Sequence, residues 1–280
     1  GATADRVTSM RVGVIGAGGR MGREVCRMVS SDPGLELVAA VDPELAGIDL
    51  RQVTGTDADG LQVEGHLEAL TRAEAEVAVD FTHVDAARVS LAWCASAGIH
   101  AVVGTTGFSD GDMAALASQF AGPDQGAPNC VLAANFAIGA VLMMHFAEVA
   151  APWFDGVEIV ELHHDGKVDA PSGTAMRTAD RMAAGLRRND KPDYPDDGTT
   201  TVVVPGARGG TGPGGVRMHS VRLPGLVAHQ EVILGGVGQS LTIRHDAYDR
   251  TSFMDGVGLA IRAVPSHSGL TIGLEPLLGF

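Results

Sequence analysis

MRVGVIGAGGRMG, from Met10 to Gly22, joins a short apolar run to a glycine turn and then to a helical pattern. Met10–Ile15 reads as a buried strand. From Arg20 to Ser30, Met21, Val25, Met28 and Val29 recur at helical spacing. A glycine turn between a strand and a helix is the context a dinucleotide fingerprint requires. Gly16 permits a tight turn, Gly18 or Gly19 lets a pyrophosphate approach the backbone, and Gly22 lets the helix pack against the sheet. The phosphates would rest on the helix N-terminus, where free N–H groups and the dipole favour anions. The expected cofactor contacts are therefore Gly16, Ala17, Gly18, Gly19, Arg20, Met21 and Gly22. Asp42 closes the next strand, where an acid accepts hydrogen bonds from an adenosine ribose diol. That favours NADH. Arg20 is near enough in sequence to offset a 2′-phosphate, so NADPH stays open.

Strands and helices alternate beyond this unit. Strands are expected over Leu35–Val41, Val77–Phe81, His100–Val103 and Asn129–Ala133, with helices over Val84–Ala97 and Asp110–Phe120. Such alternation predicts a doubly wound parallel sheet. Ligands in these sheets bind beyond the carboxyl ends of the strands. The corresponding loops hold Phe81, then Gly104, Thr105 and Thr106, then Ala133, Ala134, Asn135 and Phe136. Phe81 reads equally as a core aromatic. The stretch 47–65 is polar and irregular.

After residue 136 the pattern changes. Ile138–Phe154 is a long apolar helix. Val157–His163 alternates, with Val157, Ile159 and Glu161 on one face. Thr174–Arg188 is a helix, Thr199–Val204 is strand-like, and 208–215 is a glycine loop. Val216–Arg222, His229–Gly235 and Ser240–His245 are further strands. An α+β second domain with an open mixed sheet fits this stretch. Asp249–Ala263 returns to helix and Gly269–Leu274 to strand, with packing that periodicity does not reveal.

The chain has 280 residues, 45% hydrophobic and 19% charged, a globular balance. A net charge of −14 with no basic run argues against a nucleic-acid surface. Cys26, Cys94 and Cys130 offer neither a disulfide framework nor metal-ligand spacing, so a reducing, cytoplasmic setting is expected. No apolar run is long enough to span a membrane, and none is expected to anchor the chain. Gly1–Ser9 reads as either a disordered native extension or an expression remnant.

The second domain carries the chemistry. ELHHDGKVDAPSGT, Glu161 to Thr174, places two imidazoles, an ammonium and a probable helix start close together. Imidazole suits proton delivery because its ordinary pKa lies near 6.5. Adjacent side chains on an extended chain point opposite ways, so the two histidines should differ in role: His163 as the acid, His164 as a carboxylate contact. Lys167 can bind a carboxylate, raise the acidity of a histidine or assist proton delivery. Ser172 is a plausible N-cap, and its hydroxyl with the N–H groups of Gly173 and Thr174 can cradle an anion. Asp169 can orient Lys167 or pin the loop. The histidine spacing lacks the helical i,i+4 pattern of a zinc site, so no metal is expected.

With these residues in hand, the chain resembles the 4-hydroxy-tetrahydrodipicolinate reductase (dihydrodipicolinate reductase) family, from Met10 to Leu278. The carrying segments are GAGGRMG at 16–22, DFTH at 80–83, AVVGTTGF at 101–108, NFAIGAVLM at 135–143 and ELHHDGKVDAPSGTA at 161–175. GLVAHQEVILG at 225–235 and TIRHDAYDRTSF at 242–253 follow. The resemblance implies His163 as proton donor, Lys167 as its assistant and substrate ligand, and substrate contacts from His164, Ser172, Gly173, Thr174 and Arg250. It implies NADH and/or NADPH, a small cyclic dicarboxylate as substrate, and a homotetramer. It also implies a discontinuous dinucleotide domain, 1–135 with 246–280, around a substrate-binding, catalytic and oligomerisation domain, 136–245. Ala134 departs from the proline the family often has before Asn-Phe. The 44–66 connection is long, and the 205–215 loop has extra glycine.

Two other readings compete. A semialdehyde dehydrogenase would need a nucleophilic cysteine, for which Cys130 is nearest a strand end. A dinucleotide sensor would need no proton donor.

Overall fold

The computed structural model describes residues 9–56, 58, 60–196 and 198–280. Of the expected N-terminal extension, all but Ser9 lies outside the described residues. The chain divides into two compact units, residues 1–136 with 253–280, and residues 137–252.

In the first unit, seven parallel strands form one sheet. They are β1 (Met10–Ile15), β2 (Leu35–Val41), β3 (Val63–Glu64), β4 (Val77–Asp80), β5 (His100–Val103), β6 (Cys130–Leu132) and, from the C-terminal segment, a last strand Leu270–Ile272. The order is last strand, β6, β5, β4, β1, β2, β3. Successive connections wind outward on both sides of β1, which creates the switch point between β1 and β4 where ligands bind in such sheets. Helices cover the sheet, so its central strands are apolar runs rather than alternations. Val77, Ala78, Val79 and Asp80 are all buried. The first helix, α1 (Arg20–Ser31), buries Gly22, Val25, Cys26 and Val29, a stripe at helical spacing. Two short helices, α2 (Leu50–Thr54) and α3 (Glu68–Arg72), precede α4 (Val84–Ser96) and α5 (Asp110–Gln119). The polar stretch thus holds a helix that its composition does not suggest: the Asp49 side chain caps α2, and Gly55 ends it with φ of 74°.

In the second unit, α6 (Ile138–Ala150) and α7 (Gly173–Arg188) pack on one face of a five-stranded sheet. Its strands are β7 (Gly156–His163), β8 (Gly210–Thr211), β9 (Arg217–Arg222), β10 (Ala228–Gly236) and β11 (Gln239–Ala247), ordered β11-β10-β7-β9-β8. β7 and β9 are parallel and the other pairs antiparallel, so the sheet is mixed and open. Ile159, Met182, Val232 and Leu234 lie in the core between helices and sheet. α6 stops short of the expected Phe154. A 3₁₀ turn follows at Ala151–Trp153, where Pro152 has no N–H with which to continue the ladder.

Thr199–Val204 forms no strand. Val202, Val203 and Val204 are exposed; β-propensity alone does not make a sheet. The edge position goes to Gly210–Thr211 inside the expected loop, paired with Thr211 opposite Arg217. The second unit runs past the expected boundary at 245, to Ser252, because β11 continues to Ala247. The returning segment forms α8 (Met254–Ala263), the strand Leu270–Ile272 (β12) and α9 (Glu275–Leu278). β12 pairs with β6, Leu270 opposite Cys130. No helix among the described residues is long and apolar enough to cross a membrane.

Candidate active site

The glycine turn is closed by backbone bonds to the neighbouring strand. The Gly16 N–H donates to the Val41 carbonyl at 2.8 Å, and Gly19 N–H to the Gly16 carbonyl at 3.0 Å. Gly16 has φ of 74°, a conformation that favours glycine. A Cβ on Gly22 would lie 2.0 Å from the Gly16 carbonyl oxygen. Only glycine allows α1 to start this close to the turn. Gly19 is the N-cap, with no side chain capping the first turn, so the first N–H groups of α1 remain directed outward. Asp42 lies beside the turn: its Oδ2 accepts the Gly18 N–H at 2.9 Å. A Cβ-free surface, unclaimed helix N–H groups and a carboxylate at the end of β2 fit a dinucleotide's pyrophosphate and ribose. Arg20 is exposed and Met21 half-buried at the helix start, and Ala17 is buried beneath it.

The ends of β4, β5 and β6 are tied together. Asp80 is fully buried. Its Oδ2 accepts from the Ser90 hydroxyl, and its Oδ1 from the Thr82 N–H at 2.8 Å and hydroxyl at 2.6 Å. The Thr105 hydroxyl donates to the Thr82 carbonyl at 3.0 Å. Phe81 lies over Gly104, where an added Cβ would fall 1.9 Å from its ring, and tilts against Phe136 with centroids 5.4 Å apart. Both readings of Phe81 have a basis, since it packs here yet stays partly open. Phe136 is buried, Ala133 is buried, Asn135 is half-buried, and Thr106 and Ala134 are exposed.

In the second unit the segment after β7 converges on one carboxylate. Glu161 is fully buried, on the strand face that also carries Val157 and Ile159. Its Oε2 lies 2.5 Å from His163 Nδ1. Arg222, at the end of β9, donates from Nη2 to Oε1 at 2.8 Å and from Nη1 to Oε2 at 2.9 Å. The Ser172 N–H donates to Oε1 at 3.1 Å. Burial opposes the Glu161 charge, but Arg222, the Ser220 hydroxyl and His163 outweigh it and hold the carboxyl below its ordinary range. For His163 burial is the largest influence and pushes the imidazole below its ordinary value. Glu161 pulls it back up, and Lys167 and Arg222 push it down.

Lys167 Nζ donates to Asp169 Oδ1 at 2.7 Å, and its N–H closes a turn onto the His164 carbonyl at 3.2 Å. Arg222 Nη2 also donates to the Asp169 carbonyl at 2.6 Å, pinning the same strap to β9. Asp169 therefore orients Lys167 by its side chain and is held by its backbone. Ser172 caps α7, its hydroxyl accepting the Ala175 N–H at 3.2 Å. Gly173 is exposed and Thr174 half-buried at the helix start, which presents their N–H groups outward. His164 is exposed, as expected for the neighbour of His163. Arg250 is exposed, in the turn Arg250–Phe253 after β11.

All three cysteines are buried. Burial pushes the Cys26 and Cys94 thiols up to about 12 and Cys130 higher still. A buried thiol held protonated is a poor nucleophile, so the cysteine-dependent reading loses its key residue. Among the described residues no group of three or more His, Cys, Asp or Glu is arranged to hold a metal.

Residues 10–136 match the family described as "Dihydrodipicolinate reductase, N-terminus", and residues 139–278 match "Dihydrodipicolinate reductase, C-terminus". The chain belongs to the dihydrodipicolinate reductase family. It is 48% identical over 270 residues to the 4-hydroxy-tetrahydrodipicolinate reductase of Cutibacterium acnes, covering 96% of this chain and 99% of that one. Identity to the Mycolicibacterium vanbaalenii reductase is 49% over 269 residues, again covering 96% and 99%. The dipicolinate-bound dihydrodipicolinate reductase of Paenisporosarcina sp. TG-14 superposes with a TM-score of 0.82 at 38% identity, covering 96% of this chain and 99% of that one. Membership of this reductase family together with the dinucleotide-binding sheet implies a nicotinamide cofactor.

In this member of the dihydrodipicolinate reductase family, two residues of the cluster, Glu161 and Arg222, lie outside the sequence expectations. Glu161 had a signal: an acid in phase with core-facing Val157 and Ile159 demands a buried partner. Arg222 had none, since it meets Glu161 only through the pairing of β7 with β9.

Proposed function

We propose that the chain reduces 4-hydroxy-tetrahydrodipicolinate, by way of dihydrodipicolinate, to tetrahydrodipicolinate with NADH or NADPH, a step of lysine and diaminopimelate biosynthesis. The observation that carries this reading is the cluster at the end of β7: His163 on a buried carboxylate, Lys167 on the same strap, and the open start of α7. An imidazole beside two anion sites suits a dicarboxylate that must receive a proton. The dipicolinate-bound relative from Paenisporosarcina supports a planar cyclic dicarboxylate as the ligand class.

The bound nicotinamide supplies hydride. His163 delivers the proton, and Lys167 draws in a carboxylate and assists that delivery. His164, Ser172, Gly173, Thr174 and Arg250 complete the substrate contacts. Loss of the 4-hydroxyl as water precedes or accompanies reduction. On the cofactor side, Gly16 to Gly22 receive the pyrophosphate, and Asp42 the adenosine ribose. Phe81, Gly104, Thr105, Thr106 and Ala133 to Phe136 lie at the strand ends that face the nicotinamide half. Asp42 favours NADH, and exposed Arg20 leaves room for NADPH. A cytoplasmic homotetramer, joined through the face of the second sheet that α6 and α7 leave open, is part of the same reading.

The test supplies substrate generated by the upstream synthase with NADH and, separately, NADPH, and follows loss of the reduced cofactor. Substrate-dependent oxidation with at least one is expected; none with either overturns the assignment. Sedimentation velocity reads the oligomer.

A further inference from the structure

Glu161 does more for the site than fill a gap in the core. Its oxygens accept two hydrogen bonds from Arg222 and one from the Ser172 N–H, and with the Ser220 hydroxyl these hold the carboxyl below its ordinary range, ionised at neutral pH. An ionised carboxylate can only accept. The 2.5 Å contact therefore requires a hydrogen on His163 Nδ1, donated to Glu161 Oε2. In the neutral imidazole the other nitrogen, Nε2, is then bare. It can act as an acid only after it gains a proton.

We propose that Glu161 is a positioning residue: by holding the Nδ1–H of His163 it makes Nε2 the one nitrogen through which that ring exchanges protons, and Nε2 takes up a proton when a dicarboxylate binds. This rests on the dicarboxylate reading above. The groups facing the ring are Glu161 from β7, Lys167 from the strap and Arg222 from β9, with Asp169 paired to Lys167. In the free protein, burial and two cations oppose one carboxylate, so the ring is neutral near pH 7. Two incoming carboxylates drawn to Lys167 reverse that balance and favour the imidazolium. In the reaction the Nε2–H bond breaks, and its proton joins the substrate carbon left with an electron pair by hydride addition. The ring returns to its neutral Nδ1–H form.

Two measurements on the intact protein test this. Tautomer-sensitive ¹⁵N spectra of histidine-labelled protein, with the His163 signals assigned by their loss in His163→Asn, should show the Nδ1–H form at neutral pH. The Nε2–H form would overturn the proposal, and no turnover is needed to see it. Calorimetry of dipicolinate binding in buffers of different ionisation enthalpy should show uptake on the order of one proton per site. In Glu161→Gln, uptake should fall by at least half, and the alkaline limb of kcat should move about one unit to lower pH. A folded Glu161→Gln protein that is only less stable, with proton uptake and limb unchanged, would reduce Glu161 to a structural role. If dipicolinate does not bind the native protein, the dicarboxylate reading fails, and the tautomer still decides the positioning role.

Discussion

Asp42 Oδ2 accepts the Gly18 N–H at 2.9 Å, so the acid that ends β2 is fastened to the glycine turn itself. Its Oδ1 accepts the Glu44 N–H at 3.1 Å. Each oxygen keeps a lone pair for a ribose hydroxyl, and the two anchors fix where that hydroxyl must come. Hydrogen bonds to a charged group contribute about 1.5–3 kcal/mol. Asp42→Asn should therefore lower the NADH-to-NADPH ratio of kcat/KM by about tenfold or more. Measuring both cofactors with the native and variant proteins decides it, and an unchanged ratio would remove Asp42 from cofactor choice.

Two glycines make a matched pair. A Cβ on Gly22 would collide with the Gly16 carbonyl, whereas a Cβ on Gly173 would meet nothing within 4 Å. Overpacking of the first kind costs about 1–3 kcal/mol, and it displaces the turn proposed to hold the phosphates. Gly22→Ala should lose Tm and bind reduced dinucleotide poorly in a fluorescence titration. Gly173→Ala should keep or raise Tm, since alanine is the better helix residue. On the proposed reading its N–H cradles a carboxylate, and the added methyl crowds that anion, so KM for substrate should rise about tenfold, a cost of about 1.4 kcal/mol.

The roles within the strap separate in kinetics. His163→Ala should lower kcat about 100-fold or more, the usual share of a general acid, with a small change in KM. Lys167→Ala and Thr174→Ala should also weaken substrate binding. Steady-state kinetics on all three variants distinguishes them, and an unchanged kcat in His163→Ala would move proton delivery elsewhere.

Acid should destabilise the fold in two stages. Burial pushes His100, His163 and His245 below their ordinary value. Unfolded histidine titrates near about 6.5, so on acidification the unfolded chain takes up protons that the folded chain does not, and stability falls. For Glu148, Glu158 and Glu161 burial raises the pKa, but their arginine and histidine partners outweigh it and the net shift is downward. Their contribution is complete above about 4.3 and is lost as pH falls through their folded values. Tm should be level above about pH 7, decline below about 6.5 and drop steeply below about 4. A Tm that rises between pH 7 and 5 would contradict the histidine assignment.

The buried thiols give a simple reading of the native state. Cys130→Ala should leave turnover intact, and a thiol reagent should label none of Cys26, Cys94 or Cys130 until the protein is unfolded. Rapid labelling of the folded protein would reopen the cysteine-dependent chemistry.

Local signals made much of this legible. β1, the glycine turn and α1 announce themselves because each glycine answers a backbone need and the strand is apolar from Val12 to Ile15. The 161–174 segment is legible because its side chains are close in sequence. What was missed depends on tertiary pairing. Arg222 reaches Glu161 across 61 residues, and nothing near Arg222 marks it. Thr199–Val204 has the residues of a strand, yet it forms none. α2 was hidden in a polar stretch, although Asp49 and Gly55 at its two ends are the signals of a short capped helix.

The pairing of β12 with β6 has a consequence for how the molecule is made. Buried Asn129 joins the two segments, donating to the Val264 carbonyl at 2.9 Å and accepting the Gly269 N–H at 2.9 Å. Residues 137–252 form a contiguous unit, whereas the first unit needs both ends of the chain. On the ribosome, where the chain emerges from its N-terminus, the inserted unit is complete before the unit that precedes it. Until Leu270–Ile272 leaves the exit tunnel, β6 is an apolar edge without its neighbour, the kind of edge that templates mispairing.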